Sequence, residues 1–344
     1  MKKVLIGMSG GVDSSLAASL ILESGADVVG ATLSLFKSDG ADISDAARVC
    51  GELGIKHSIL SFHDDFKKFV TDVFISEYLN GRTPNPCVVC NRYIKFGKML
   101  EAAEKLGCDG LATGHYAAVE KQGGRYLLKR AADEKKDQSY MLYTLNQHQL
   151  SRAVFPLGGL TKAEVRHLAE QRGISVSHKK DSQDICFVPD GDYVGFIERT
   201  LGKKAAAGDF CDRNGNVLGR HSGIIRYTEG QRKGLGIALG KPMFVLEKKA
   251  ETNRVILGSE DALFYRRVEV RDINYIPFDS LSSDMRVKAK LRYRHTAQSA
   301  VLHPTENGAV LEFDLPQRAP TRGQSAVFYD GDIVIGGGII SLIE

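Results

Sequence analysis

Three groups of residues in this 344-residue chain have the types and spacing that chemistry needs. The first is Gly7-Met8-Ser9-Gly10-Gly11-Val12-Asp13-Ser14-Ser15, which follows the apolar run Val4-Leu5-Ile6 and precedes a helical pattern. Glycines let backbone N–H groups approach an anion, and a helix N-terminus adds positive potential, so this loop suits a phosphate. The lysine of a GxxxxGK[ST] loop is missing, which argues against a kinase- or GTPase-type site. Ser9, Ser14 and Ser15 can donate hydroxyl hydrogen bonds, and Asp13 can hold Mg²⁺ on the phosphates. The plainer alternative is a glycine turn capped by Asp13 or Ser14. The strand–loop–helix setting weighs against it.

The second group is the CxxC pair Cys87 and Cys90, in the proline-bracketed loop Thr83-Pro84-Asn85-Pro86-Cys87-Val88-Val89-Cys90-Asn91. A cysteine just ahead of a helix has its thiolate stabilised, which suits a nucleophile or a metal ligand. By itself CxxC leaves open a redox pair, half a zinc site or iron–sulfur ligation. The third is Cys186, in Lys179-Lys180-Asp181-Ser182-Gln183-Asp184-Ile185-Cys186-Phe187, where neighbouring cations would lower a thiol pKa. Cys50 and Cys108 occupy apolar positions and read as core thiols, and Cys211 as inert. His57, His63, His148, His167, His221 and His303 lack metal-ligand spacing, and His115 stands beside Gly114 and Tyr116.

The elements that must position these groups alternate in the first half. Strands are expected at Val4-Leu5-Ile6, 28–35, 57–61 and 110–113, and helices at 13–24, 44–53, 66–79, 94–106, 161–171 and 192–201. Such alternation predicts an α/β fold, a parallel sheet covered on both faces. Beyond about residue 205 glycines multiply and short β-type runs take over at 268–270, 287–293, 309–313 and 325–329. The expected domains are 1–204, a small central β-rich domain at 205–265, and a C-terminal β-barrel at 266–344. Read as a strand, 285–295 would line Arg286, Lys288, Lys290, Arg292 and Arg294 along one face. That spacing, about 6.5–7 Å, matches RNA phosphates as well as it matches a solvated protective edge.

Composition sets outer bounds. Apolar and charged fractions of 43% and 26% belong to an ordinary soluble protein, and no run reaches the eighteen or so apolar residues of a membrane span. The N-terminus has too short an apolar stretch for a secretory signal. Six cysteines with no disulfide-scaffold density fit a reducing, cytoplasmic setting. A net charge of +4 permits a nucleic-acid partner without requiring one.

The motifs, taken in order, resemble the tRNA-specific 2-thiouridylase family of PP-loop ATP pyrophosphatases. They are Ser9 to Ser14, Gly81-Arg82-Thr83-Pro84-Asn85-Pro86, Asn91 with Ile94-Lys95-Phe96, and Ala112-Thr113-Gly114-His115-Tyr116. They continue through Lys136-Asp137-Gln138-Ser139-Tyr140, Lys180-Asp181-Ser182 with Ile185-Cys186-Phe187, and Gly230 to Gly236, and end in Arg292-Tyr293-Arg294 and Gly323 to Tyr329. The resemblance implies a Rossmann-type nucleotide-binding domain and ATP-dependent 2-thiolation of the wobble uridine in a tRNA anticodon loop. It implies ATP, with Mg²⁺, on Gly7, Met8, Ser9, Gly10, Gly11, Val12, Asp13 and Ser14, with Leu33 and Gly114 on the adenine side. Asn85, Pro86 and Cys87 would touch the target base, and Lys136, Asp137, Gln138, Arg292 and Tyr293 the tRNA. Cys90 would be the catalytic thiol and Cys186 the persulfide carrier, charged by a sulfur-donor protein, a cysteine desulfurase or relay carrier. No membrane and no DNA enter this scheme.

One residue departs from the family pattern. Its better-known members carry aspartate at the position of Cys87, a plausible base for the uracil. Cys87, Cys90 and Cys186 could instead ligate a [4Fe–4S] cluster with one open iron. A loop that closes only over bound tRNA would protect the activated base, and Gly81 with residues 83–86 could form part of such a gate. A PP-loop amidotransfer-type ligase and a non-catalytic, nucleotide-gated RNA-binding module are the remaining alternatives. The ligase has no need of Cys90 or Cys186, and the module predicts that Cys90→Ser is harmless.

Overall fold

The structure is a computed structural model that describes residues 1–36, 40–179, 185–238 and 240–343. The expected motif residues Lys180 to Ser182, with Gln183 and Asp184, lie outside the described residues. The N-terminal sheet has five strands in the order Lys56–Ser61, Asp27–Ser34, Lys3–Gly7, Gly110–Ala112 and Ala153–Val154. All its pairings are parallel, with Leu5 opposite Val29 on one side and Leu111 on the other. Alternation along the central strand builds both faces of the core. Val4 and Ile6 pack with the helices Val12–Glu23, Gly40–Glu52 and Lys162–Gln171, while Leu5 packs with Phe96, Met99 and Ala103.

Two helices differ from the sequence expectation in a way that matters for the site. The helix expected at 94–106 already starts at Pro86 and runs to Lys105, with a π-helical stretch at Asn91–Met99. The helix expected at 66–79 begins at His63 and is π-helical at Lys67–Thr71. Both helices line the same cavity as the glycine loop, and π-helical insertions of this kind gather at functional sites.

The central body is a four-stranded sheet in the order Phe244–Lys249, Arg254–Gly258, Gly208–Cys211, Val217–His221. Its core of Phe210, Val245, Val255 and Leu257 joins Phe74, Tyr78 and Ile197. The C-terminal strands form a closed six-stranded barrel, sealed by pairing Phe264–Tyr275 with Ile333–Ile343. The hairpin Ala118–Gln122 and Arg125–Lys129 extends the barrel sheet through the pair Ile333 and Lys129. The expected class therefore holds: a parallel α/β sheet, a small central β body and a terminal barrel.

The expected cationic row forms only in part, with Arg286 and Lys288 exposed and Val287 and Ala289 buried. The strand Met285–Lys290 stops before Leu291, Lys290 is 6% exposed, and Arg286 pairs with Asp314. Lys290 instead lies over the Tyr329 ring at 5.8 Å and 3.9 Å from Asp137. Arg292 donates to Ala319 O and Thr321 Oγ1, each at 2.7 Å. Arg286, Lys288 and Arg294 remain exposed, and the row breaks at Lys290 and Arg292, whose charges are engaged by Asp137, Tyr329, Ala319 and Thr321.

Candidate active site

Where the sheet order reverses, the strands Lys3–Gly7 and Gly110–Ala112 part at their C-terminal ends. In open α/β sheets ligands bind at this switch point. A cavity of about 430 Å³ opens there, lined by Gly7, Met8, Ser9, Asp13, Ser14, Leu33, Gly114, Pro86, Cys87, Cys90 and Cys186, among others. One wall is thus the glycine loop and the opposite wall carries all three singled-out thiols. Gly10, Gly11 and Val12 sit behind the lining residues, forming the turn itself.

The loop is preorganised. Gly10 has φ +67°, and Gly11 is the N-cap of Val12–Glu23 with no side chain capping the first turn. Neither Asp13 nor Ser14 caps the helix, so its first amides are left to a ligand. Ser9 N donates to Ser14 Oγ at 3.2 Å, and the Ser14 and Ser15 hydroxyls donate to Gly11 O at 3.1 and 2.9 Å. A Cβ on Gly114 would lie 2.8 Å from Asp13 C and Ser14 N, so only glycine lets this strand end touch the loop.

Asp13 differs from the free Mg²⁺ ligand expected. Tyr116 Oη donates to its Oδ1 at 2.8 Å, and Lys162 Nζ reaches both oxygens at 2.8 and 2.9 Å. Lys162 begins the helix Lys162–Gln171, whose start is fixed by a reciprocal capping box between Thr161 and Glu164. Sequence reasoning missed Lys162 because it lies 149 residues from Asp13 and belongs to no local pattern.

Asn85 accepts from Cys87 N at 3.1 Å and caps the helix Pro86–Cys90, with Pro86 in the first helical position. Cys87 is exposed and Cys90 buried. Lys95 lines the same cavity as Cys90, five residues earlier. In a regular α-helix that spacing points the two apart, and the π-helical widening brings Lys95 round to the cavity. No α-helical pattern could have found it. Lys95 is the one lysine or arginine among the described lining residues, and its Nζ is 3.4 Å from His115 Nε2. His115 also bonds Thr113 Oγ1 at 2.7 Å, and burial holds its imidazole well below the usual range, with Lys95 adding to that.

Cys186 is carried by a segment anchored through Phe187, whose ring packs edge-on against Phe66 and Phe74 at 5.7 and 5.3 Å. The thiols are not the ionised groups that sequence position suggested. Desolvation pushes the buried Cys90 up to about 12, and crowding of the sulfur by the cavity walls raises Cys186 to about 11 and Cys87 as well, although both of these side chains are exposed. Lys95 opposes the shift at each, but desolvation outweighs one ammonium and the short helix beneath. Among the described residues, no three His, Cys, Asp or Glu side chains are disposed to hold a metal ion.

The expected gate is instead pinned. Thr83 N donates to Arg322 O at 2.9 Å, Gln324 Nε2 donates to Thr83 O at 2.8 Å, and Lys248 Nζ donates to Thr83 Oγ1 at 3.1 Å. Barrel and central body therefore meet on the loop that presents Cys87. Arg322 is held in turn by Glu229, through its backbone N and its guanidinium at 2.7 Å each.

The expected RNA contacts divide. Gln138 lines the cavity, and Tyr293 is half-buried against Tyr140 at 6.0 Å. Lys136 is half-exposed. The Asp137 carboxylate faces inward, accepting from Ala131 N, Ser139 N and Ser139 Oγ, so it braces the turn. Cys50, Cys108 and Cys211 are buried away from the cavity.

Three family models match in succession. One described as the tRNA methyl transferase HUP domain covers residues 2–190. The tRNA methyl transferase PRC-barrel domain covers 194–259, and the aminomethyltransferase beta-barrel domain covers 265–340. The tRNA-specific 2-thiouridylase MnmA 2 of Clostridium tetani is 49% identical over 98% of this chain and 98% of its own. The tRNA-specific 2-thiouridylase MnmA of Acetivibrio thermocellus is 49% identical over 98% of this chain and 99% of its own. Among solved structures, NMN synthetase from Francisella tularensis is similar over 60% of this chain and 79% of that one, at 18% identity and a TM-score of 0.36.

Proposed function

Since the chain belongs to the tRNA-specific 2-thiouridylase family, we propose that its cavity is where ATP activates a tRNA uridine and sulfur replaces the uracil O2. The protein is an ATP-dependent tRNA sulfurtransferase, and its target is the wobble uridine of the anticodon loop. The observation that carries this reading is one cavity walled by a phosphate loop on one side and by Cys87, Cys90 and Cys186 on the other. Methyl transfer, named in the family model's description, needs neither the ATP loop nor the thiols. A small-molecule amide ligase would need the loop alone.

The residues divide the work as follows. The amides of Gly7 to Ser14 and the hydroxyls of Ser9 and Ser14 hold the ATP phosphates, and Leu33 and Gly114 flank the adenine. Asp13 is the hard oxygen donor suited to Mg²⁺, which would take it from Lys162 and leave that ammonium for the phosphates. The uracil O2 attacks the α-phosphorus and pyrophosphate leaves, which turns a poor leaving group into AMP. The terminal sulfur of a Cys186 persulfide attacks C2, and AMP departs with the oxygen. The Cys90 thiolate then attacks the Cys186 sulfur, releasing the thiolated base and leaving a Cys90–Cys186 disulfide for an external dithiol to reduce. Pro86 and Cys87 meet the target base, while Asn85, expected there too, caps their helix and faces away from the cavity. Tyr293, Gln138 and Lys136 stand at the mouth, with Arg292 holding that mouth from behind. A cysteine desulfurase or relay carrier supplies the persulfide, and a cytoplasmic setting keeps the cysteines reduced.

The three thiols are also chemically suited to a [4Fe–4S] cluster. They do not close on a common point in this arrangement, so the persulfide route carries the proposal. Anaerobically purified protein that holds about four irons and loses sulfur transfer with them would reverse that choice. The experiment for the function is nucleoside mass spectrometry of tRNA from cells lacking the protein. Loss of 2-thiouridine derivatives supports it. Loss of a methylated nucleoside with 2-thiouridine intact would contradict it.

A further inference from the structure

The helix that carries Cys87 and Cys90 has a second face, and that face lines a larger opening. A groove of about 720 Å³ runs between Asn85, Val88, Val89, Arg92 and Tyr93 on this helix, the segment from Phe69 to Glu77, and residues 271–274 of the barrel. It takes no part in the steps above. The loop 83–86 divides it from the cavity, with Pro84 and Asn85 facing the groove and Pro86 and Cys87 facing the cavity.

Its wall is built for a flat, anionic guest. The rings of Phe69 and Tyr93 are stacked with centroids 4.9 Å apart and planes 9° apart, and Tyr93 is 38% exposed. Lys68 Nζ lies over Phe69 at 5.2 Å and the Arg92 guanidinium over Tyr93 at 5.1 Å. Across the groove Arg271 is exposed, next to Asp272, whose φ of +53° accompanies a bulge that turns this stretch out of the ladder. Of the two carboxylates in the wall, Glu77 is neutralised by Arg82 at 2.6 Å and Asp272 lies 3.7 Å from Arg271. Thr144 lines the groove, while its hydroxyl is buried behind the wall. Among the described residues the Asn85 amide donates to the weak acceptor Met141 Sδ, at 3.5 Å. An exposed ring with a guanidinium that can give way to a base, beside a weakly bonded amide, forms a surface that suits an unpaired base and its phosphate.

We propose that this groove is a second nucleotide site, holding the unpaired nucleotide next to the one that enters the cavity. The inference rests on the reading of the chain as a tRNA-modifying enzyme. The flanking base stacks on the exposed Tyr93 ring in place of the Arg92 guanidinium, its edge reaches Asn85, and the displaced Arg92 turns to its phosphate together with Arg271. With the neighbour held there, the loop 83–86 becomes the wedge that splays the two nucleotides apart, which is how a loop base is presented to chemistry.

The test uses the full-length enzyme and a tRNA carrying 5-iodouridine beside the target uridine. Irradiation is expected to join the iodinated base to Tyr93 or Phe69, as mapped by peptide mass spectrometry. Tyr93→Ala is expected to raise the KM for tRNA about 5- to 150-fold, the loss of one base–aromatic stack. At saturating tRNA its kcat and melting temperature stay within error of wild type, and Tyr93→Phe restores KM. An unchanged KM, or a crosslink elsewhere, in an enzyme that still thiolates tRNA would overturn the second site alone. Loss of activity only when a protein donor supplies sulfur, with sulfide-driven activity intact, would make the groove a protein-docking face instead. A wild-type enzyme that converts no tRNA would bring down the functional reading itself.

Discussion

At the scale of single residues, the site is poised rather than active. Crowding by the cavity walls raises Cys186 to about 11 although its side chain is exposed, so the thiol is protonated at neutral pH. A thiol is protonated below its pKa, so alkylation of Cys186 by iodoacetamide in the ligand-free protein is expected to rise roughly tenfold per pH unit from 7 to 10. Lys95 pulls the pKa down, so Lys95→Met should move the curve to still higher pH. A plateau already reached at pH 8 would contradict this account of the thiol. In thiolation assays Cys90→Ser and Cys186→Ser are each expected to lose at least about 100-fold in kcat, since a hydroxyl cannot replace a thiolate nucleophile. Their tRNA affinity should survive. Cys50→Ser, at a buried position outside the cavity, is the control that affects stability only. Near-normal turnover by either active-site variant would remove that cysteine from the mechanism.

At the scale of elements, what was legible in the sequence was whatever is local. The glycine loop, the strand before it and the helix after it could be read from Val4 to Leu20 because turn chemistry and apolar spacing act over a few residues. The CxxC loop was legible for the same reason, and the distant Cys186 through its motif. The arrival of Lys95 beside Cys90 was not, because a π-helical stretch at Asn91–Met99 breaks the α-helical register on which periodicity rests. Nor were Lys162 on Asp13 and Lys248 on Thr83, contacts between residues 149 and 165 positions apart. The strand read as 285–295 ended at Lys290 because barrel closure overrides alternation. An element-level prediction follows from Gly114, where the end of one strand touches the nucleotide loop. A methyl group there would meet Asp13 and Ser14 backbone atoms at 2.8 Å, so Gly114→Ala should raise the KM for ATP at least about tenfold by pushing the loop aside. A KM for ATP unchanged in that variant would show that the loop's position is unimportant.

At the scale of the whole molecule, three bodies converge on one short loop. The parallel sheet supplies the glycine-loop end of the cavity, and Lys248 from the central sheet and Arg322 and Gln324 from the barrel fix Thr83 beside its thiol end. Arg292 belongs to this junction, since it bonds Ala319 O and Thr321 Oγ1. Arg292→Ala is therefore expected to cost about 1–3 kcal/mol of stability, read as a lowered melting temperature. Its effect on the salt dependence of tRNA binding should stay below the slope change of about 0.7–0.9 that one lost phosphate contact gives. A full unit of slope with unchanged melting would make Arg292 a direct phosphate contact instead. The central claim is that one cavity couples ATP cleavage at the α-phosphate to sulfur transfer onto tRNA. The most direct measurement follows ATP labelled at the α-phosphate with the purified enzyme, unmodified tRNA and a persulfide donor, counting products against 2-thiouridine formed. The account predicts AMP, released one for one with thiolated uridine and only when tRNA is present. ADP as the labelled product, or AMP formed without thiolated tRNA, would contradict it.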